Sequence, residues 1–296
     1  MTTVETLRRP VAADALKTVL THEHVFVLDE EMRRNHPELR DESQVFAEAV
    51  EKLTGLAELE VSTIVDPTVV GLGRDVARVA RVDAHVDINI VVATGLYPLA
   101  DVPLLFRYHG QGTLLGGEEP MVNMFVKDLT EGIADAGVRA GFLSCAIEES
   151  LTPSVERVMR AVARAHLATG MPIVVHTSAP HTADLVAQDV FRGECVDPGA
   201  LVLDHSGDTD DLNYVPTLIG QGSYVGMDRF GPDPYPPGEK RIANLVRLLD
   251  EGLADRRMLS HDASCHIDWF RPGPREQITT MLVDNPHRFL TRGRPS

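Results

Sequence analysis

Short apolar runs alternate along the chain with longer segments in which apolar residues recur with a helical period. The short runs are rich in valine, isoleucine and leucine, a composition typical of strands that are buried on both faces. Eight strands are predicted, at residues 16–24, 61–68, 88–96, 140–148, 171–179, 200–207, 222–230 and 257–264.

The clearest helical pattern covers residues 152–170. Thr152 can cap its N-terminus, Pro153 suits its first turn, and Gly170 can end it. Its apolar stripe consists of Val155, Val158, Met159 and Val162. Further helices are predicted at 43–58, 74–86, 122–136, 182–192, 209–220 and 239–251. Pro216 should make the helix at 209–220 irregular.

Strands that alternate regularly with helices favour a parallel α/β architecture. With eight strands, we expect a (β/α)8 TIM barrel in which residues 1–296 form a single domain. An open, doubly wound sheet is the alternative. Such a sheet normally has a glycine-rich turn after its first strand, and the sequence there is THEHVF.

The composition and net charge of the chain exclude some classes of function. Hydrophobic residues make up 43% of the chain, which suffices for a large core, and the formal net charge is −16. That charge opposes binding to nucleic acid or to an anionic membrane. Three cysteines without a spacing pattern argue against a disulfide framework, and the N-terminus has no signal-peptide pattern. We expect a cytoplasmic protein that acts on a small molecule.

Five residues that can bind a metal lie at the C-terminal ends of predicted strands. His22 and His24 are two apart on the first strand, so they share a face. His176, His205 and Asp262 end the fifth, sixth and eighth strands. Because barrel enzymes gather their reactive groups at this end, these side chains should converge on one site. Imidazoles and a carboxylate suit zinc or another borderline divalent ion.

Several motifs resemble the phosphotriesterase-like lactonase family of the amidohydrolase superfamily, over about residues 10–292. They are THEH, GLYPLADVP, RAGFLSCAIEE, VVHTSA, LDHSGDTDDLNY, GMDRFG, LSHDASC and MLVDNP. The resemblance implies that the HxH pair and Asp262 hold a buried metal. It implies that His176 and His205 hold a second metal, and that a carboxylated lysine on the fourth strand bridges the two. A homodimer is compatible with this family.

The resemblance also implies roles for three residues outside the metal ligands. Tyr97 would stand near the metals, Arg229 at the pocket wall, and Trp269 in the lining of the substrate pocket. Each also has an ordinary structural interpretation, as an interface tyrosine, a surface arginine and a packed tryptophan. His261 flanks Asp262 and should face the other side of its strand, as a packing or supporting residue.

The chain departs from the family at the bridging lysine, where Ser144 stands. Serine cannot carry a carbamate. Cys145 should point away from the site by strand alternation. Glu148 has the same parity as Ser144, but four residues along a strand span roughly 13 Å, which predicts that it is too far away. The bridge is therefore expected to be absent, or supplied by water or a small carboxylate.

A second departure follows the eighth strand. The segment between Asp262 and MLVDNP is shorter than in the family by roughly a loop and a helix. The shorter segment should open the pocket, so lactone specificity is less firmly predicted than the fold.

The sequence thus predicts a metal-dependent hydrolase of a lactone or related ester, with promiscuous phosphotriesterase activity. Metal-bound hydroxide would attack the carbonyl. Asp262 would carry the proton to the leaving group, and Tyr97 would hydrogen-bond the developing charge. Only one tight metal is expected. The alternative is a repurposed barrel that binds a ligand or catalyses a non-hydrolytic step.

Overall fold

A computed structural model describes residues 2–209, 211–230 and 237–269 of the protein. Its main sheet has eight strands, each paired in parallel with its neighbour in sequence. They are β1 (Val19–Leu20), β2 (Thr63–Asp66), β3 (Asn89–Leu96), β4 (Phe142–Ile147), β5 (Ile173–Thr177), β6 (Leu201–Asp204), β7 (Tyr224–Met227) and β8 (Arg257–Leu259). A doubly wound sheet would contain a reversal of this order, so the barrel prediction is confirmed.

The barrel closes just beyond β1 and β8, along a seam formed by residues 22–27 and 260–267. The His24–Val27 strand pairs in parallel with the Ser264–Ile267 strand. The backbone N–H of Asp262 donates to the His22 carbonyl at 3.1 Å, and the N–H of His24 donates to the Ala263 carbonyl at 2.8 Å. The first predicted strand, 16–24, is therefore interrupted, and its second half belongs to this seam. A separate two-stranded hairpin, Thr3–Val4 with Val11–Ala12, precedes the barrel.

Helices connect the strands and cover the outside of the sheet. They are α1 (Glu30–Asn35), α2 (Glu42–Glu58), α3 (Val76–Asp83), α4 (Leu104–Tyr108), α5 (Pro120–Thr130), α6 (Pro153–Thr169), α7 (Ala183–Gly193), α8 (Val215–Gly220) and α9 (Gly238–Asp250). Among the described residues, four 3-10 turns add to them, at Ala13–Leu16, Pro37–Leu39, Ala179–His181 and Pro198–Ala200.

The predicted helix at 152–170 has the expected ends. Thr152 Oγ1 accepts from the N–H of Val155, and Gly170 is left-handed at φ 74°. Three other helices are shorter than predicted, and the one predicted at 74–86 covers Val76–Asp83. The helix predicted at 122–136 ends at Thr130, and the one predicted at 209–220 begins at Val215, next to Pro216, which is favoured only in a first turn.

The core has two layers, one on each side of the sheet. A small cluster inside the barrel contains Val91, Ala93, Phe142 and Val174, and a larger one packs the sheet against the helices. Because side chains alternate along a strand, Ser144 shares the inner face with Phe142. Cys145 belongs to the outer layer, as predicted.

Cys145, Cys195 and Cys265 are all free thiols. Within the described ranges, none of the helices combines the length and apolar content that a membrane crossing requires.

Candidate metal centre

The five predicted metal ligands converge at the C-terminal end of the barrel, in two groups that share Asp262. In the first group, Nε2 of His22 lies 3.4 Å from Asp262 Oδ1, and Nε2 of His24 lies 3.5 Å from the same oxygen. In the second, Nδ1 of His176 lies 2.9 Å from Nε2 of His205. The His205 nitrogen lies 3.9 Å from the other Asp262 oxygen.

Each histidine has a polar partner on the ring nitrogen that faces away from the pocket. Nδ1 of His22 lies 2.6 Å from Asp204 Oδ2, and Nδ1 of His205 lies 2.8 Å from Asp228 Oδ1. Nδ1 of His24 lies 2.7 Å from Thr68 Oγ1, whose hydroxyl donates to Asp66. Nε2 of His176 lies 3.1 Å from Glu148 Oε1. Such partners fix the ring orientation and the tautomer of histidines that bind metals.

The donor atoms in these contacts are of the kinds that bind a divalent metal. The inward donors are four imidazole nitrogens and one carboxylate, a set that suits a borderline divalent ion. Donor atoms of His22, His205 and Asp262 all lie within 4.8 Å of one another. The chemistry and spacing of the donors fit a metal centre. A second close group, His22 with Asp204 and Asp228, lies behind the pocket and comprises the supporting contacts just described.

Three residues of the centre have left-handed backbone conformations just after their strands. His205, Arg229 and Asp262 have φ values of 66°, 60° and 53°, which non-glycine residues rarely adopt. Backbone strain of this kind persists only where surrounding contacts enforce it. Here the His205 N–H donates to the Asp228 carboxylate, and the Asp262 N–H donates across the seam.

The electrostatics of the metal-free centre favour an ionised Asp262. Burial alone would raise the pKa of this carboxyl, but His22, His205 and Arg229 hold it well below its usual range. Burial would lower the pKa of His22, yet Asp204 and Asp262 raise it to about 10. A metal that binds His22 must therefore displace a proton, so metal binding should release protons.

The carboxylates of Asp204 and Asp228 meet over a glycine. A Cβ added to Gly226 on β7 would come within 2.2 Å of Asp204 Oδ1 and 2.9 Å of Asp228 Oδ2. Burial raises the pKa of both carboxyls, that of Asp204 to about 6. Only glycine leaves room for two acidic groups at this point.

Arg229 and Tyr97, predicted from the resemblance, both reach the pocket. Arg229 donates from Nε to Asp262 Oδ2 at 2.7 Å and from Nη1 to Asp208 Oδ2 at 2.8 Å. The Tyr97 hydroxyl donates to Glu148 and lies 3.2 Å from His176 Nε2. Burial and the Glu148 charge raise the pKa of Tyr97 above its ordinary value, so the hydroxyl keeps its proton.

Comparison with known proteins agrees with this geometry. The model of the phosphotriesterase family matches residues 2–273. The chain belongs to the phosphotriesterase family. A phosphotriesterase homology protein of Mycobacterium tuberculosis is 44% identical, over 99% of this chain and 98% of that protein. An aryldialkylphosphatase of Saccharolobus solfataricus is 37% identical, over 90% and 85%.

The solved structure of the phosphotriesterase from M. tuberculosis superposes with a TM-score of 0.89 at 43% identity, covering 98% of this chain and 99% of that one. The phosphotriesterase family is one of metal-dependent hydrolases, and this chain retains the candidate ligands for such a metal.

Glu148 lies where the sequence argument did not expect it. The 13 Å estimate assumed that the strand runs on through this residue, but β4 ends at Ile147 and the chain then turns. The Glu148 carboxylate therefore reaches His176, and that hydrogen bond is the main cause that lowers its pKa to about 2. Glu148 lies on the side of His176 that faces away from the pocket, so the prediction that it does not replace the bridging lysine stays a prediction.

Ser144 lies on the inner face of β4 and is buried, at 5% exposure. It stands beside Gly95 of β3 and Val174 of β5 in the sheet register. Ser144, which stands where the family has its bridging lysine, thus points into the barrel. Its side chain is much shorter than that of lysine and cannot reach the ligands as lysine would.

Trp269 is half-exposed at the end of the described residues, and its role in the substrate pocket stays a prediction. Residues 270–296, including MLVDNP, lie outside the described ranges.

The alignment with the mycobacterial relative has 321 positions for a chain of 296 residues. This chain therefore lacks residues that the relative has, and their location after β8 remains a prediction.

Sequence reasoning missed the residues that support the ligands. Asp204 and Asp228 each precede a predicted site residue in sequence, in LDHS and MDRF, which was the available signal.

Glu23 lies between His22 and His24 in sequence, and its side chain faces the side of the strand opposite to theirs. Its carboxylate accepts from the backbone N–H groups of His261 at 2.7 Å and Ala263 at 3.1 Å, and it also contacts the His261 ring at 3.0 Å. The supporting role predicted for His261 agrees with these contacts.

Proposed function

We propose that this protein hydrolyses lactones or related esters, with a weaker promiscuous activity on phosphotriesters. The observation that carries the proposal is the pair of donor groups around Asp262, with an ionised carboxylate between them. When bound, a divalent metal such as zinc would supply a Lewis acid for the carbonyl oxygen and would lower the pKa of water.

Asp262 is the proton carrier in this proposal. It accepts a proton from the attacking water as the new C–O bond forms. It then returns that proton to the leaving alkoxide as the ester C–O bond breaks. The charges of His22 and Arg229 keep Asp262 ionised, so that it carries no proton before the reaction, and Arg229, hydrogen-bonded at 2.7 Å, keeps the carboxylate oriented between the two groups of donors.

Tyr97 serves as a hydrogen-bond donor to the substrate. In the substrate-free protein its hydroxyl donates to Glu148 and lies 3.2 Å from His176 Nε2. On substrate binding the hydroxyl would turn from Glu148 to a substrate oxygen, where its hydrogen bond would stabilise the charge that develops. Trp269 would line the wider, open side of the pocket.

The experiment compares three samples of the protein: purified without chelator, stripped of metal, and reconstituted with zinc. Each is assayed on a series of alkyl-substituted γ- and δ-lactones, an aryl ester and an aryl dialkyl phosphate. We expect lactone turnover that is lost on stripping and restored by zinc. The Asp262→Asn variant should be inactive, and Asp189→Asn, a change at an exposed carboxylate of α7, should match the wild type.

A repurposed barrel is the second candidate, and Ser144 on the inner face favours it. This candidate predicts metal binding without turnover of any ester in the panel. Metal bound at one equivalent with no hydrolysis would reject the lactonase proposal in favour of a binding or non-hydrolytic role.

A further inference from the structure

Glu148 joins two residues of the centre that come from different strands. Its Oε1 lies 3.1 Å from Nε2 of His176 and accepts the hydroxyl hydrogen of Tyr97. The Tyr97 oxygen in turn lies 3.2 Å from the same His176 nitrogen. The three groups form a closed triangle on the side of His176 that faces away from His205.

The hydrogens in this triangle can be assigned from its chemistry. An ionised carboxylate only accepts hydrogen bonds, and Tyr97 has a single hydrogen, which it gives to Glu148. Both oxygens that approach His176 Nε2 are therefore acceptors there, so Nε2 must carry a hydrogen. In the neutral ring, Nδ1 then has a lone pair, and this atom faces the pocket.

The same reasoning applies to the neighbouring histidine. Nδ1 of His205 lies 2.8 Å from the Asp228 carboxylate and so carries its hydrogen, which leaves a lone pair on Nε2. In these tautomers the lone pairs of His176 Nδ1 and His205 Nε2 face each other at 2.9 Å. Two acceptors at this distance are held together by a shared cation, which is either a proton in a hydrogen bond between the rings or a metal ion bound to both.

We propose that Glu148 is a positioning residue that holds His176 in the tautomer and orientation needed to bind the outer metal. The inference rests on the metal centre of the proposed function. Because Ser144 supplies no bridging anion, the outer site depends on its two histidines, and the negative charge of Glu148 makes one of them a stronger donor. Within the described part of the chain, the contacts of Glu148 are with Tyr97 and His176, so metal binding by the inner group of His22, His24 and Asp262 should be independent of it.

The test is a titration of the metal-free protein with Co²⁺, followed by visible absorption and calorimetry. We expect two binding steps in the wild type. In Glu148→Ala the weaker step should lose roughly 10–100-fold in affinity, while the tighter step stays unchanged. Glu148→Gln keeps an acceptor but not the charge, so its loss should be intermediate. Glu149→Ala removes an equal charge from the next, exposed residue and should behave as the wild type.

The inference is overturned if Glu148→Ala binds Co²⁺ as the wild type does, if both steps weaken equally, or if the wild type shows no second step at millimolar Co²⁺. Thermal unfolding of each variant checks that it is folded. A failure of the proposed function can be distinguished from a failure of this inference. A selective loss of the weaker step in a protein that hydrolyses no lactone would support the role of Glu148 and reject the lactonase.

Discussion

Arg229 and Asp262 follow neighbouring strands of the barrel, and Nε of the arginine lies 2.7 Å from Oδ2 of the aspartate. A cation and a candidate metal ligand are thus in direct contact, and both residues have left-handed backbones. Arg229 also holds Asp208, so its planar guanidinium spans two carboxylates. The aspartate is therefore oriented by the protein before any metal binds.

Replacing Arg229 by lysine should lower kcat on the preferred substrate by roughly 10–100-fold, as for other residues that orient metal ligands. Lysine keeps the charge, but its single ammonium lacks the fork that reaches two carboxylates at once. Metal content, measured by elemental analysis after gel filtration, should stay that of the wild type. Full activity in Arg229→Lys would show that charge alone suffices.

Removing the Tyr97 hydroxyl should lower turnover on the order of 10²-fold, the lower end for loss of a proton-transfer or donor group. Tyr97→Phe leaves the contact between His176 and Glu148 in place, so the metal content should not change. Steady-state kinetics together with elemental analysis separate the two effects. Unaltered kcat on a hydrolysed lactone would reject the donor role.

Ser144→Lys should raise the number of metals that survive dialysis. With one carboxylate and one hydroxide, two divalent ions leave a net charge of about +2, which a carbamate would reduce to about +1. The wild type should therefore hold one metal tightly. Added bicarbonate should enhance the effect of the lysine, and Ser144→Met, which has similar length and no amine, should not show it. Two metals retained by dialysed wild type, with no added anion, would contradict the charge argument.

A methyl group at Gly226 should damage both the fold and the centre. The added Cβ would meet the carboxylates of Asp204 and Asp228 and the Cα of Asp204, and overpacking of this kind costs about 1–3 kcal/mol. Gly226→Ala should lower the free energy of unfolding by that order and weaken metal binding. Gly55 of α2 has open space around it, so Gly55→Ala should be neutral or stabilising. Denaturant unfolding of both variants makes the comparison.

Asp184 of α7 should make stability depend on pH. Burial raises its pKa in the folded protein to about 6, from an ordinary 3.8. The folded state thus holds the proton more tightly. The resulting stability is present below about pH 4 and is lost as pH rises through about 6, amounting to roughly 3 kcal/mol. Asp184→Asn should flatten this dependence and be the more stable protein at pH 8, whereas Asp189→Asn should keep the wild-type profile. Unfolding curves from pH 4 to 8 would test this.

The sequence was sufficient to predict the barrel and the convergence of its five candidate ligands. Strand alternation and the common end of parallel strands determine where His176 and His205 point, and both follow from local pattern. It was also sufficient to put Cys145 outside and Ser144 inside the barrel.

Contacts between segments that are distant in sequence could not be predicted from local sequence patterns. The pairing of His22 with Asp204 joins residues 182 apart, and nothing in either local pattern selects the partner. The contact of Glu148 with His176 was not predicted because one residue decides whether a strand continues or turns, and β4 ends at Ile147. The left-handed backbones of Arg229 and Asp262 are imposed by neighbours that the sequence does not reveal.

The seam joins the beginning of the barrel to its end, and this sets when the centre can exist during synthesis. Between His22 and Asp262 the ribosome must add 262 − 22 = 240 residues. At typical rates this takes roughly 10 to 50 seconds. A nascent chain therefore carries its first two histidines without their carboxylate partner for most of its translation. Until Asp262 emerges from the ribosome, the nascent chain has only an incomplete set of metal ligands.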